Sequence, residues 1–257
     1  MKTRDVYIDA DHILHNVTNS KTYDTGFETQ EDVSYDDFGS GKVKLHLTPY
    51  KNHFDAIVED YVTTAEVESI CYDWKVGEVH VILSAPDNFR FDVYKDYKCN
   101  RPKDKPKLFK KLQKWARKKY RVEPQTEADD VVSYYVRKGA VGFTTDKDMF
   151  KGVAGKWFNC HYMHKNWITT SKKDAEEFFK CQILAGDGVD DIPSISGVGL
   201  ITARKLMDKH GWSYDDIKKI FKLHGHNKKY MLQMGRLVSM NQWHPDYGIR
   251  LWQGKTL

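Results

Sequence analysis

The stretch Ala140-Val141-Gly142-Phe143-Thr144-Thr145-Asp146-Lys147-Asp148 decides the fold. A short apolar run that stops abruptly at acids reads as a buried strand whose carboxyl end carries polar chemistry. Two upstream stretches have a related form: Val6-Tyr7-Ile8 stops at Asp9, and Val79-His80-Val81-Ile82-Leu83 is broken by Ala85-Pro86-Asp87-Asn88. Between them, Ala56, Val58, Tyr61, Val62, Ala65 and Ile70 recur at helical spacing. A second helix starts at Glu127, carries Val131, Val132, Tyr134, Tyr135 and Val136, and closes at Gly139. Ser171 caps a third, through residues 172–185. Strands alternating with helices predict an α/β fold with a mostly parallel central sheet flanked by helices, and place ligands beyond the strand carboxyl ends. Residues 21–49 show no firm period and read as a loop or hairpin excursion. From Gly186 onward the pattern is helical, which divides the chain into an α/β core over 1–185 and a smaller region over 186–257.

Composition narrows the class. The 257 residues are 40% hydrophobic and 30% charged, and the mean hydropathy of −0.67 fits a globular protein that buries an ordinary core. No apolar run approaches the ~18 residues a membrane span needs, and Met1-Lys2-Thr3-Arg4-Asp5 leads into a strand with no secretory signal pattern. Cys71, Cys99, Cys160 and Cys181 are scattered, as expected of reduced thiols in a cytoplasmic compartment. Cys160, His161 and His164 lack a second ligand pair at zinc-finger spacing.

The net charge of +5 is unevenly placed. Residues 95–121 hold 13 Lys and Arg against 2 Asp, while residues 24–38 hold six acids and no Lys or Arg. Within the basic segment Leu108, Phe109, Leu112, Trp115 and Ala116 form one apolar face of a helix whose other face is cationic. Such a segment suits a polyanion.

The acids form an ordered set: Asp9, then Glu127, Asp129 and Asp130, then Asp146 and Asp148, then Asp187, Asp190 and Asp191. In a parallel sheet these positions share one edge, where crowded carboxylates repel unless a cation neutralises them. All-oxygen ligation favours Mg²⁺ or Mn²⁺ over zinc, and two such ions are the usual clamp on a phosphodiester. Farther on, Ile195-Ser196-Gly197-Val198-Gly199-Leu200 reads as a tight hairpin entering a helix, with Arg204 and Lys205 one turn later. Backbone N–H groups there can receive a phosphate.

With these residues in hand the chain resembles the 5′-nuclease family: flap endonucleases, the 5′-nuclease domain of bacterial DNA polymerase I, and phage 5′→3′ exonucleases. The matching pieces are Val-Tyr-Ile-Asp-Ala-Asp (6–11), Asn-Phe-Arg (88–90), Tyr-Lys-Cys-Asn-Arg (97–101), Glu-Ala-Asp-Asp (127–130), Thr-Thr-Asp-Lys-Asp (144–148), Gly-Asp-Gly-Val-Asp-Asp-Ile-Pro (186–193) and Gly-Val-Gly-Leu-Ile-Thr-Ala (197–203). The length and the stretch 234–252 look most like the phage branch. The resemblance implies a PIN-like core, a helical arch within 95–121 and a C-terminal helix-hairpin-helix unit. It also implies hydrolysis of DNA near a 5′ end or flap during phage replication, in a host cytoplasm, by a monomer. Asp9, Glu127, Asp129 and Asp130 would group at a first metal ion, and Asp146, Asp148, Asp187 and Asp190 at a second. Asp191 stands outside that set, and Asp11 is expected to be structural or one step removed from the metals. Arg90 and Lys98 would act catalytically on the scissile phosphate. Arg101, Gly197, Val198, Gly199, Arg204 and Lys205 would bind DNA, with Tyr97 as a base stacker and K⁺ at the Gly197–Gly199 hairpin.

One departure stands out. The family usually has an Asp at the end of the second strand, where this chain has Ala85. Asp87 reaching in from a shifted loop, a site that works with one carboxylate fewer, and an inactivating replacement are the three explanations. The rival readings are a non-catalytic DNA-structure binder on the same scaffold, supported only by Ala85, and a compact ribonuclease, disfavoured by the Gly197 hairpin and the length beyond Asp187.

Overall fold

The computed structural model describes residues 1–18, 33–34, 42–43, 47–102, 104–193 and 195–255. The acid-rich segment 24–38 lies outside the described residues except at Val33–Ser34. In chain order the elements are β1 (Lys2–Asp9), α1 (Asp11–Thr18), β2 (Val33–Ser34), β3 (Lys42–Val43), α2 (Thr48–Cys71), β4 (Trp74–Leu83) and α3 (Arg90–Val93). There follow α4 (Lys107–Lys119), β5 (Arg121–Val122), α5 (Ala128–Arg137), β6 (Val141–Thr144), α6 (Lys147–Gly152), β7 (Gly155–Asn159) and β8 (Asn166–Thr170). The chain continues with α7 (Lys172–Ala185), α8 (Leu200–His210), α9 (Tyr214–Leu223) and α10 (Lys228–Val238), then the short strands β9 (Trp243–His244) and β10 (Gly248–Ile249).

Six strands form the main sheet in the order β5-β4-β1-β6-β7-β8. All neighbours are parallel except β7 and β8. The expected α/β architecture is therefore present, with one antiparallel edge strand. Two-residue alternation explains why the sheet is covered on both faces. Val6 and Ile8 of β1, Val81 and Leu83 of β4, and Val141 and Phe143 of β6 enter a core shared with α1, α2 and α4. Tyr7, Ile82 and Trp157 point the other way, onto α5 and α6. A third cluster joins Phe179, Ile183 and Leu184 of α7 to α8, α9, α10 and Trp252.

Several boundaries differ from the sequence reading. α2 begins at Thr48, not near residue 55, because Pro49 sits in its first turn, where a missing N–H costs nothing. Strands β7 and β8 were not expected: Trp157 and Phe158 lie beside single polar residues, too short a run to show a period. The helical pattern after Gly186 also gives way at its end to the β9–β10 hairpin.

The chain leaves β1 toward β4 on one side and later returns to place β6 on the other. A crevice opens at such a reversal, beyond the strand carboxyl ends. Among the described residues no helix is long and apolar enough to cross a membrane.

Candidate active site

A cleft of about 520 Å³ occupies that crevice. Asp9 reaches it from the end of β1, Asp146 and Asp148 from the end of β6, Glu127 and Asp129 from the start of α5, and Asp187 and Asp190 from the loop after α7. Lys98, Arg101 and Lys105 face them from the basic segment.

Local structure places these groups. Asp146 caps α6 by accepting the Asp148 N–H at 2.8 Å. Thr144 donates to Asp9 at 2.9 Å and accepts the Asp146 N–H at 3.0 Å, tying two strand ends together. Asp187 and Ile192 form an isolated bridge that turns the following loop toward the cleft.

The electrostatics divide the acids in two. Burial, with Asp11 and Asp146 nearby, pushes the Asp9 carboxyl up to about 7. Burial, Asp146 and Asp187 push Asp148 up to about 7. Asp129 is raised well above the usual range by burial and by Glu127, Asp130 and Asp9. Burial, Asp190 and Asp187 also raise Asp146. Glu127 behaves oppositely: burial would raise it, but Lys98 and Arg90 outweigh burial and hold it down at about 2. Glu127 accepts from Lys98 and from the Tyr97 hydroxyl at 2.9 Å. Asp190 pairs with Arg101 and lies 3.5 Å from Lys98.

Among the described residues no three potential ligands already sit within metal-binding reach of one another. The donor set nevertheless suits a hard divalent cation. It is rich in carboxylate oxygens, several of which burial and like charge hold toward the neutral form, and a cation would relieve that cost.

Three expectations from the sequence meet a different geometry. Asp130 is fully buried and accepts both prongs of the Arg90 guanidinium at 2.6 and 2.8 Å, plus Thr126 at 3.1 Å, and it does not line the cleft. Arg90 lines the cleft, 3.3 Å from Glu127, but is 2% exposed and also donates to the carbonyls of Leu237 and Ser239, so it clamps the C-terminal region to α5. Tyr97 lines the cleft but is 3% exposed, its ring packed against Phe91 and its hydroxyl on Glu127 and Asp190.

Asp87 is exposed and does not line the cleft, and neither does Ala85. Asp191 pairs with Asn100 outside the cluster. In the hairpin, Gly197 has φ +74°, a region that favours glycine, and stands exposed. Val198 buries its side chain in the helical cluster, leaving only backbone to meet a ligand. Arg204 is exposed but pairs with Glu177 at 3.3 Å, and Lys205 is exposed.

The cleft also contains residues that the sequence reading did not assign to it. Asp11, His12 and His15 line it from α1, opposite Lys105, Phe109 and Gln113. Lys105 lies 3.2 Å from His15 and 4.2 Å from the Phe109 ring centroid. The spacing of Asp11 and His15, four apart on one helix face, was the available signal.

No family model matches the chain. It is 30% identical over 157 residues to a 5′-3′ exonuclease of Buchnera aphidicola subsp. Schizaphis graminum, covering 54% of this chain and 53% of that protein. It is 32% identical over 158 residues to a 5′-3′ exonuclease of Aquifex aeolicus, covering 54% of each. Over those stretches the chain is similar to curated 5′-3′ exonucleases. It spans about half the length of those curated relatives. Its fold extends the likeness to solved 5′-nucleases of bacteriophage T5. The T5 protein co-crystallised with metal ions matches with a TM-score of 0.61 at 15% identity, over 93% of this chain and 90% of that one. The T5 flap endonuclease in complex with DNA and metal ions matches with a TM-score of 0.58 at 14% identity, over 94% and 90%.

Proposed function

We propose that the chain is a metal-dependent 5′-nuclease that hydrolyses DNA phosphodiesters near a 5′ end or flap. The observation that carries this reading is the convergence of Asp9, Asp129, Asp146, Asp148 and Asp187 in one cleft beside a basic segment. An acidic cleft repels DNA by itself, so it gains a purpose only with cations that neutralise it. Asp9, Glu127 and Asp129 on one side, and Asp146, Asp148, Asp187 and Asp190 on the other, would hold two Mg²⁺ or Mn²⁺ ions. Bound there, such ions supply an activated water and stabilise the leaving oxygen.

The chain's own groups would do the rest. Lys98 and Arg101, now on Glu127 and Asp190, would turn to the phosphate once those acids are otherwise neutralised. Arg90 and Asp130 would act only as a brace holding α5 in place. The exposed cations of α4 would steer the 5′ end toward the cleft, and the Gly197–Gly199 hairpin, with K⁺ on its carbonyls, would hold the duplex. A monomer acting in phage replication in a host cytoplasm accords with this reading. So does the division into a core over 1–185 and a DNA-binding region over 186–257.

The test is cleavage of a 5′-labelled flap duplex with Mg²⁺ against an EDTA control, run on this chain and on Ala85→Asp. Mg²⁺-dependent release of short 5′ products by this chain is the expected result. If neither protein cuts yet both bind the flap, the nuclease reading falls. The second reading, a DNA-structure binder without activity, then replaces it. Ala85, which leaves the end of β4 without a carboxylate, is the observation in its favour.

A further inference from the structure

The cleft has one gap in its ring of acids. β1 and β6 and the start of α5 each deliver carboxylates to it, while the end of β4 delivers only Ser84. The next residue, Ala85, has no acid to offer, and its N–H is spent on the Thr126 carbonyl at 3.0 Å. Asp87 is exposed and does not line the cleft.

The gap is covered from the neighbouring strand. β1 and β4 run parallel with Asp9 opposite Ile82, and the Ala10 N–H continues the ladder by donating to the Ile82 carbonyl at 2.9 Å. That register sets the first residue of α1, Asp11, alongside the exit of β4. Its carboxylate accepts the Ser84 N–H at 3.4 Å, so a negative charge lies at the residue directly before Ala85. The Asp11 N–H in turn donates to the Asp9 carboxylate at 3.3 Å, which holds the two acids in adjacent positions on the cleft wall.

We propose that Asp11 is the chain's substitute for an acid at position 85, a metal-site carboxylate supplied from the start of α1 where the end of β4 has none. This rests on the reading of the cleft as a divalent-cation site. The alternative role for Asp11 is structural: an acid in the first turn stabilises a helix dipole. The two roles separate under Asp11→Asn, which keeps an oxygen for the Ser84 N–H and removes the charge.

The experiment is calorimetric titration of Mn²⁺ into the full chain without DNA, compared with Asp11→Asn, Asp148→Asn and the double variant Asp11→Asn/Ala85→Asp, with circular dichroism confirming the fold of each. Asp11→Asn is expected to weaken Mn²⁺ binding by about tenfold or more, and the double variant to recover it. A smaller loss in Asp11→Asn, or a double variant as weak as the single one, overturns the proposal. If Asp148→Asn loses Mn²⁺ while Asp11→Asn matches the parent, only the role of Asp11 falls. If the parent chain takes up no Mn²⁺, the metal-site reading falls with it.

Discussion

Arg90 and Asp130 show how little a residue's type says about its task. Both belong to motifs that point to phosphate and metal, yet their side chains are sealed together at 2.6 and 2.8 Å with almost no exposure. Removing one partner of a buried pair leaves the other charged and unsolvated. Asp130→Ala is therefore expected to cost roughly 3–5 kcal/mol in urea unfolding, while the double variant Arg90→Met/Asp130→Leu costs less than either single change. A double-variant loss equal to the sum of the two single losses would show that the charges are not coupled. The acids of the cleft carry a second expectation. Asp9 and Asp148 rise from the ordinary 3.8 to about 7, so the folded chain keeps protons that the unfolded chain releases between those values. Without divalent cations the stability they contribute is present at low pH and is lost as pH rises through about 7. Glu127, held at about 2, contributes oppositely: its stabilisation is present above 4.5 and lost only as pH falls toward 2. Mg²⁺ is thus expected to raise Tm more at about pH 8 than at about pH 5 in calorimetric scans, because only at the higher pH are Asp9 and Asp148 ionised. An equal shift at both would contradict this account.

At the scale of elements, α4 combines two functions. Phe109, Leu112 and Ala116 are buried against the sheet, and Lys107, Lys111, Lys114 and Lys118 stand exposed on the other side. Its apolar stripe fixes where the helix sits, and its cations remain available to a ligand. Replacing Lys107, Lys111 and Lys114 with Gln is expected to leave Tm nearly unchanged and to weaken flap-DNA binding. The slope of log affinity against log salt should shrink by about 0.7–0.9 for each phosphate that the helix no longer neutralises. Fluorescence anisotropy across a salt series reads both, and an unchanged slope would remove α4 from the interface. The amphipathic pattern of α4 and the cap of α7 at Ser171 were legible because one helix contains its own signal. β7 and β8 were not, since five residues are too short a run to show a period and their place is set by pairing with β6 and with each other.

For the molecule as a whole, the C-terminal stretch acts as a fastener. Trp252 is 1% exposed; its ring packs edge-on against Phe179 and lies over Gly235, where no side chain would fit. Its N–H groups are satisfied by Gln242 and by the Lys255 carbonyl. Trp252→Ala is expected to cost about 3–5 kcal/mol in urea unfolding. It should also loosen the 237–239 segment that Arg90 grips, which hydrogen exchange of Leu237 and Ser239 would report. Protection unchanged there would mean that the two anchor points are independent.

The sequence by itself determined the alternation of strands and helices, the acids at strand ends and the basic amphipathic helix, because each is written in local spacing. It also carries the resemblance to the 5′-nucleases, through the order of its motifs. Only the tertiary structure decided which members of those motifs share the cleft. Asp130 turns into the packing, while Arg90 and Tyr97 line the cleft with their polar groups already held by Asp130, Glu127 and Asp190. Asp11, set beside β4 by the register of a strand pair more than sixty residues apart in sequence, turns into the site. Spacing records which face of an element a residue occupies. What that face meets depends on partners brought in by distant parts of the chain.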